Sequence, residues 1–165
     1  MGFSIMTLNT HGMAQNVRAQ QITEYLQIHN IDLAFLQETN MTSEKQNSNH
    51  FWDTLSYKYY FFSTAHRFTG VGVAVNKRST VKIKCCTELI TGYLLYTEFD
   101  FNGTTYHAYN IYMPQEDATA YTVIKKLQQH SEDKQNNTTF LVGDFNVTLN
   151  PILDRQVGEK NKSTK

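Results

Sequence analysis

Apolar residues fall in short runs divided by polar turns, and the spacing inside the runs changes along the chain. Phe3 to Leu8 predicts a strand, closed by the polar turn Asn9-Thr10-His11-Gly12. Ala19, Ile22, Tyr25, Leu26 and His29 then recur at helical spacing, which predicts an amphipathic helix from about Asn16 to His29. Ile31 to Gln37 is almost continuously apolar and reads as a buried strand. Strand, helix and strand joined this tightly imply a parallel crossover.

Residues 40–50 are polar without a period and predict a loop. Tyr57 to Phe62 is an aromatic strand, Gly70 to Val75 an apolar strand open to close backbone approach, and Val81 to Cys85 an alternating one. Asn102-Gly103 favours a type I′ hairpin turn. Its two-residue loop sets Phe99 opposite Tyr106 and Glu98 opposite His107, an aromatic pair and a charge-complementary pair. A helix from about Glu116 to His130 starts with acidic residues, carries Lys125 and Lys126, and spaces Tyr121, Ile124 and Leu127 at i, i+3, i+6. Thr138 to Gly143 is the last strand, and the polar tail from Glu159 to Lys165 is expected to fray.

Composition narrows the class. A chain of 165 residues without repeat or linker is one domain with room for a real core. Aromatics at 13% favour strands over a helical bundle. Fifteen basic and fifteen acidic residues cancel, so there is no basic footprint of a tight nucleic-acid binder. An enzyme in brief contact with phosphates is still allowed. Cys85 and Cys86 are neighbours and point to opposite faces of a strand, which argues against a disulfide and for a reduced, intracellular setting, nuclear or cytoplasmic rather than secreted. Phe3 to Leu8 is too short for a signal core or a membrane span. Triplets such as Asn40-Met41-Thr42 and Asn146-Val147-Thr148 read as chance rather than glycosylation sites.

The candidate chemistry lies where strands stop. Gly143-Asp144-Phe145-Asn146 follows the apolar run Thr139 to Val142, and an Asp and an Asn two apart at the end of a buried strand point the same way. Asn9 follows the first strand, Glu38 the second, and Tyr112 ends the second hairpin strand. Ligands in α/β sheets collect at such ends. Carboxylates suit Mg²⁺, and a Tyr hydroxyl or an Asn amide can donate to a phosphate oxygen. Taken singly, each has a plainer reading: a solvated Glu, a core Tyr, a turn at Gly-Asp-x-Asn. His11 and His107 read as surface or satisfied residues rather than ligands. Gly70-Val71-Gly72 lacks the Lys-Ser/Thr of a phosphate loop and reads as packing. The ordered set is what points to metal-assisted phosphoryl chemistry.

That set resembles the endonuclease/exonuclease/phosphatase superfamily. The matching text is Leu8 to Gly12, Leu36-Gln37-Glu38-Thr39, Asn110 to Pro114 and Gly143 to Asn146. Within it, Gln37-Glu38-Thr39, the strand Gly70 to Val75 and Leu153-Asp154-Arg155 are similar to endonuclease domains of non-LTR (LINE-type) retrotransposons. The resemblance implies an α/β fold, a four-layer α/β/β/α sandwich. It implies Mg²⁺, or Mn²⁺ in its place, on Glu38 with Asn9 beside it. Tyr112 would then bond the scissile phosphate, Asp144 would activate water, and Asn146 would stabilise the phosphate in the transition state. The implied partner is the DNA phosphodiester backbone, with no membrane.

Two departures accompany the likeness: His11 stands where the family commonly has a second Asn, and Gln115 where the retrotransposon pattern often has Asn. The family's later strands also carry a further Asp or Asn and a Ser-Asp-His. None of the six His here, at 11, 29, 50, 66, 107 and 130, follows an Asp. Residues 1–155 therefore read as the N-terminal portion of such a domain, incomplete at the C-terminus, with 156–165 as a polar tail. Losing one phosphate-stabilising donor costs about 10² to 10³ in rate, so the expected activity is impaired or lost. An uncovered sheet edge also predicts self-association. The leading reading is a retroelement-like DNA endonuclease. Beside it stand a phosphatase acting on a small phosphoester or lipid head group, and a non-catalytic remnant or binding module.

Overall fold

A computed structural model describes residues 2–132, except Ser63, Ala65 and Arg67, and residues 138–147. Two four-stranded sheets lie face to face. The first has order β1-β2-β4-β3, with β1 (Ile5–Asn9), β2 (Leu33–Gln37), β3 (Tyr57–Phe61) and β4 (Val71–Asn76). The second has order β5-β6-β7-β8, with β5 (Lys82–Ile90), β6 (Leu94–Phe101), β7 (Thr104–Tyr112) and β8 (Thr139–Asp144). Helices α1 (Asn16–Ile28), α2 (Ser43–Asn47), α3 (Phe51–Thr54) and α4 (Asp117–Glu132) complete the described elements.

Three apolar clusters define four layers. Ala19, Ile22 and Leu26 of α1 and Trp52 of α3 cover one face of the first sheet against Leu36, Tyr59 and Ala74. Leu33, Phe35, Val71 and Val73 meet Leu95, Phe99 and Ala108 between the sheets. Val123 and Leu127 of α4 cover the outer face of the second sheet at Leu94, Tyr109 and Ile111. Each fully buried Leu, Val or Phe contributes roughly 1.5–3 kcal/mol. The order of layers is the α/β/β/α sandwich expected from the sequence.

Strands β1 and β2 pair in parallel, as the crossover requires. The hairpin register places Phe99 opposite Tyr106 and Glu98 opposite His107. In the close approach expected of the Gly70 strand, Gly70 has φ +111°, and a side chain there would sit 2.6 Å from Thr39 Oγ1. Cys85 is exposed and Cys86 half-buried, both free.

The structure departs from the sequence expectations in several places. Residues 40–50 are not all loop: α2 forms there because Thr42 caps it, accepting from Lys45 N at 3.2 Å. Strand β5 runs on to Ile90, with bulges that a short alternation signal does not reveal. On α4 the fully buried residue is Val123, whereas Tyr121 and Ile124 are exposed. Strand β8 is only half-buried, because among the described residues it pairs with β7 alone. Leu153-Asp154-Arg155, the boundary at 155 and the polar tail lie outside the described residues. No helix among them is long and apolar enough to cross a membrane.

Candidate active site

Four strands end at one place. Strands β1 and β2 run parallel and stop at Asn9 and Gln37, while β7 and β8 run parallel and stop at Tyr112 and Asp144. Face-to-face packing brings the two pairs of C-terminal ends together. Asn9 Nδ2 donates to Glu38 Oε1 at 2.9 Å and to Asp144 Oδ2 at 2.9 Å. One amide thus joins carboxylates from both sheets. The Tyr112 hydroxyl donates to Glu38 Oε1 at 2.8 Å. His11 Nδ1 lies 3.0 Å from Glu38 Oε2, and the His11 backbone N–H donates to Asn9 Oδ1 at 3.1 Å, fixing which way that amide faces.

Glu38 is held in a costly backbone shape. Its φ is +51°, a left-handed conformation in which a Glu is uncommon. The surroundings impose it. Gly12 N donates to Glu38 O at 2.7 Å, Thr10 N to Gln37 O at 2.9 Å, and Thr39 N to Gly70 O at 3.1 Å. Sequence alone gives the residue but not this conformation; the carboxylate meets Asn9 and Tyr112. Burial pushes the Glu38 carboxyl up. Hydrogen bonds from Asn9, Tyr112 and His11, with the charge of His11, more than offset it, so the group lies below the ordinary carboxylate range. Tyr112 moves the other way. Burial, then its bond to Glu38 and the charges of Glu38 and Asp144, raise it well above an ordinary phenol, so it remains a donor.

Asp144 depends on the residue before it. Gly143 has φ +137°, and a Cβ there would run into the backbone of Ile111 on the paired strand. The side chain of Asn146 does not join the Asn9 cluster directly. The strand has ended, Asn146 has φ +49°, and its Nδ2 donates to Met113 O at 2.6 Å. Its backbone N–H donates to Asp144 Oδ1 at 3.0 Å. Strand alternation alone would have set the Asp and Asn side chains in parallel; the turn separates them. Asn9, Asp144, Phe145 and Asn146 still line one cleft of about 440 Å³.

Sequence reasoning missed a layer just below. Gln37 and Asn110 are 1% and 0% exposed. Gln37 Nε2 donates to Asn110 Oδ1 at 2.6 Å and to Thr7 Oγ1 at 3.0 Å. Asn110 Nδ2 donates to Leu36 O at 2.9 Å and Gly72 O at 3.0 Å. The available signal was spacing: Thr7 and Asn110 each precede a site residue by two on the same strand. Tyr93 was also missed. Its ring stacks on Tyr112, with centroids 6.1 Å apart and planes 9° apart, and its carbonyl accepts Tyr112 N–H at 2.8 Å. No local sequence signal marks it.

The donor set suits a hard dication. Glu38 and Asp144 each place an oxygen 2.9 Å from the same nitrogen, so two carboxylates face one point. Among the described residues no three His, Cys, Asp or Glu gather as a closed cage. Mg²⁺ needs only one or two carboxylates and keeps several waters, so an open donor set of this kind would suit it.

Comparison with known proteins gives a consistent result. The model of the Endonuclease/Exonuclease/phosphatase family matches residues 6–162. A Transposon TX1 uncharacterized 149 kDa protein of Xenopus laevis is 30% identical over 99% of this chain, which spans 12% of that protein. Three solved structures share the fold. The endonuclease domain of TRAS1, a telomere-specific non-LTR retrotransposon, is 11% identical with a TM-score of 0.63 over 89% of this chain and 60% of its own. An AP endonuclease from Archaeoglobus fulgidus is 20% identical, TM-score 0.62, over 92% and 60%. A D. rerio TDP2 complexed with single strand DNA product is 16% identical, TM-score 0.60, over 88% and 61%. The chain thus spans less than two thirds of each.

Proposed function

We propose that this chain, which belongs to the Endonuclease/Exonuclease/phosphatase family, carries the site of a Mg²⁺-dependent, retroelement-like DNA endonuclease that hydrolyses phosphodiesters. One observation carries the reading: a single Asn9 amide joins Glu38 and Asp144 from opposite sheets, with Tyr112 on Glu38. The similarity to a transposon protein over 99% of the chain favours the retroelement branch.

Glu38, with Asn9 beside it, would hold the cation, for which Mn²⁺ could substitute. A dication bound there neutralises charge on the phosphate and makes a bound water more acidic. Tyr112, kept protonated by its surroundings, donates its O–H to a non-bridging phosphate oxygen. Asp144 accepts a proton from the attacking water at a carboxylate oxygen. Asn146 uses one amide N–H on Met113 O and offers the other to the phosphate as charge develops. Asn9 holds the two carboxylates at fixed separation throughout.

Nicking of supercoiled plasmid tests this. Wild-type protein nicks slowly in Mg²⁺, EDTA abolishes nicking, and Glu38→Gln lowers its rate about 10³-fold. Phosphate release from small phosphoesters without nicking would make the site a phosphatase. No activity on either substrate would make it a non-catalytic module. Self-association belongs to the same reading: β8 offers an unpaired edge among the described residues, and Leu141 on it is exposed. A monomer at micromolar concentration in sedimentation velocity would reject that part.

A further inference from the structure

Two supports of Glu38 lead to the same turn. Its backbone is held through Thr39, whose N–H donates to Gly70 O at 3.1 Å. Its carboxylate is held by the Tyr112 hydroxyl at 2.8 Å. Gly70 N donates in turn to Gly92 O at 3.2 Å, and Tyr112 N donates to Tyr93 O at 2.8 Å. Gly92 and Tyr93 are neighbours in the turn Thr91-Gly92-Tyr93, between β5 and β6. Hydrogen bonds and covalent steps therefore close a ring: Glu38, Thr39, Gly70, Gly92, Tyr93, Tyr112 and back to Glu38. The ring joins the first sheet to the second.

Glu88 holds this turn. Gly92 is buried and has φ +75°, and a buried N–H needs a partner inside the protein. Glu88 Oε1 accepts it at 3.0 Å. Strand β5 is irregular between Glu88 and Ile90, just ahead of the turn, and Tyr93 N–H returns to Ile90 O at 3.1 Å. Glu88 is half-buried, and no ion pair among the described residues involves it. A carboxylate in that position gives up hydration without gaining a charge partner. Shorter Asn, Asp or Ser side chains are the usual means of closing a turn. Turn closure alone does not call for a Glu here.

On the reading that Glu38 holds a dication, we propose that Glu88 is a positioning residue for that carboxylate. Its bond to Gly92 N fixes the turn, and the turn fixes Glu38 through Gly70 and Tyr112 together. What matters is the acceptor oxygen of Glu88, not its charge. Without that bond both supports relax at once, so the effect reaches the cation site although Glu88 does not touch it.

Titration with Tb³⁺, a hard cation whose emission is sensitised by nearby tyrosine, tests this without turnover. Emission that Glu38→Gln removes belongs to the site. Glu88→Asp keeps the charge but is one methylene too short to keep the bond to Gly92 N. Glu88→Gln gives up the charge and keeps the oxygen. Glu88→Asp is expected to weaken Tb³⁺ binding about 10-fold and to slow nicking about 10-fold, while Glu88→Gln restores both. Glu88→Met matches Gln in length, lacks the oxygen and should bind as Asp does; it covers the case in which Asp misfolds. Wild-type binding by both Asp and Met variants overturns the proposal. So does a Gln variant as weak as Asp, which would place the effect on charge, and so does a wild type without Glu38-dependent emission. Tb³⁺ binding that responds as stated, in a protein that does not nick plasmid in Mg²⁺, sinks the hydrolase reading and leaves the role of Glu88 standing. Nicking by wild type with unchanged variant binding does the reverse.

Discussion

Two polar layers sit next to each other on the same strands and behave oppositely. The lower layer is Thr7, Gln37 and Asn110; the upper is Asn9, Glu38, Tyr112 and Asp144. Thr7 and Asn9 are two apart on β1, and Asn110 and Tyr112 two apart on β7, so in each pair both side chains leave on one face. Below, the amides of Gln37 and Asn110 are sealed from water and bonded mainly to each other and to backbone carbonyls. Above, the groups are only half-buried, two are acids, and His11 at the rim is 73% exposed. A buried, satisfied polar pair fixes how two sheets align. A solvent-reached cluster with an acid held below its normal range can exchange partners. The same strand face thus supplies scaffold and chemistry, divided by one step of the chain.

The largest expected effect separates the layers by activity. Glu38→Gln lowers the nicking rate about 10³-fold, near 4 kcal/mol of barrier, while urea midpoints move little. Loss of folding in that variant would erase the distinction. Next, Asn110→Leu removes the acceptor of one Gln37 amide bond and the donor to the carbonyls of Leu36 and Gly72, and costs roughly 3 kcal/mol in urea unfolding. A cost below about 1 kcal/mol would mean the lower layer is not a lock.

Smaller effects sharpen the boundary. Tyr93→Ala removes the ring stacked on Tyr112 and is expected to reduce kcat about 10-fold, with Tyr93→Phe near wild type, since a stacked aromatic pair contributes about 1 kcal/mol. An equal loss in both variants would place the effect on the hydroxyl instead. The smallest effect concerns pH. Glu38 is depressed in the folded state, so its stabilising contribution is complete above the ordinary carboxylate range and is lost as pH falls through its lower folded value. Melting followed from neutral to acid pH should show this slope in wild type and not in Glu38→Gln. Identical profiles would remove Glu38 from the acid limb.

Much of the fold was legible because its signals are local. The parallel crossover followed from an amphipathic helix set between two apolar runs, and the hairpin register from Asn102-Gly103. Helix α2 escaped because one capped turn has no period to detect. The face of α4 was misjudged because Tyr121, Ile124 and Leu127 share a spacing, yet only Val123 meets the sheet fully. Strand β8 was read as buried because its run is apolar, whereas burial depends on what lies alongside.

By itself, the sequence determined most of the strands, the two long helices, the family and the residues at the strand ends, because periodicity and turn chemistry act over a few residues. Only the tertiary structure decided that Asn9 and Asp144, 135 positions apart, share one hydrogen bond. It decided that Asn146 turns back to Met113, that Glu38 adopts φ +51°, and that Tyr93 stacks on Tyr112. Those outcomes depend on how two sheets settle against each other. Sheet packing is set by the whole buried surface, and no short stretch of chain encodes it.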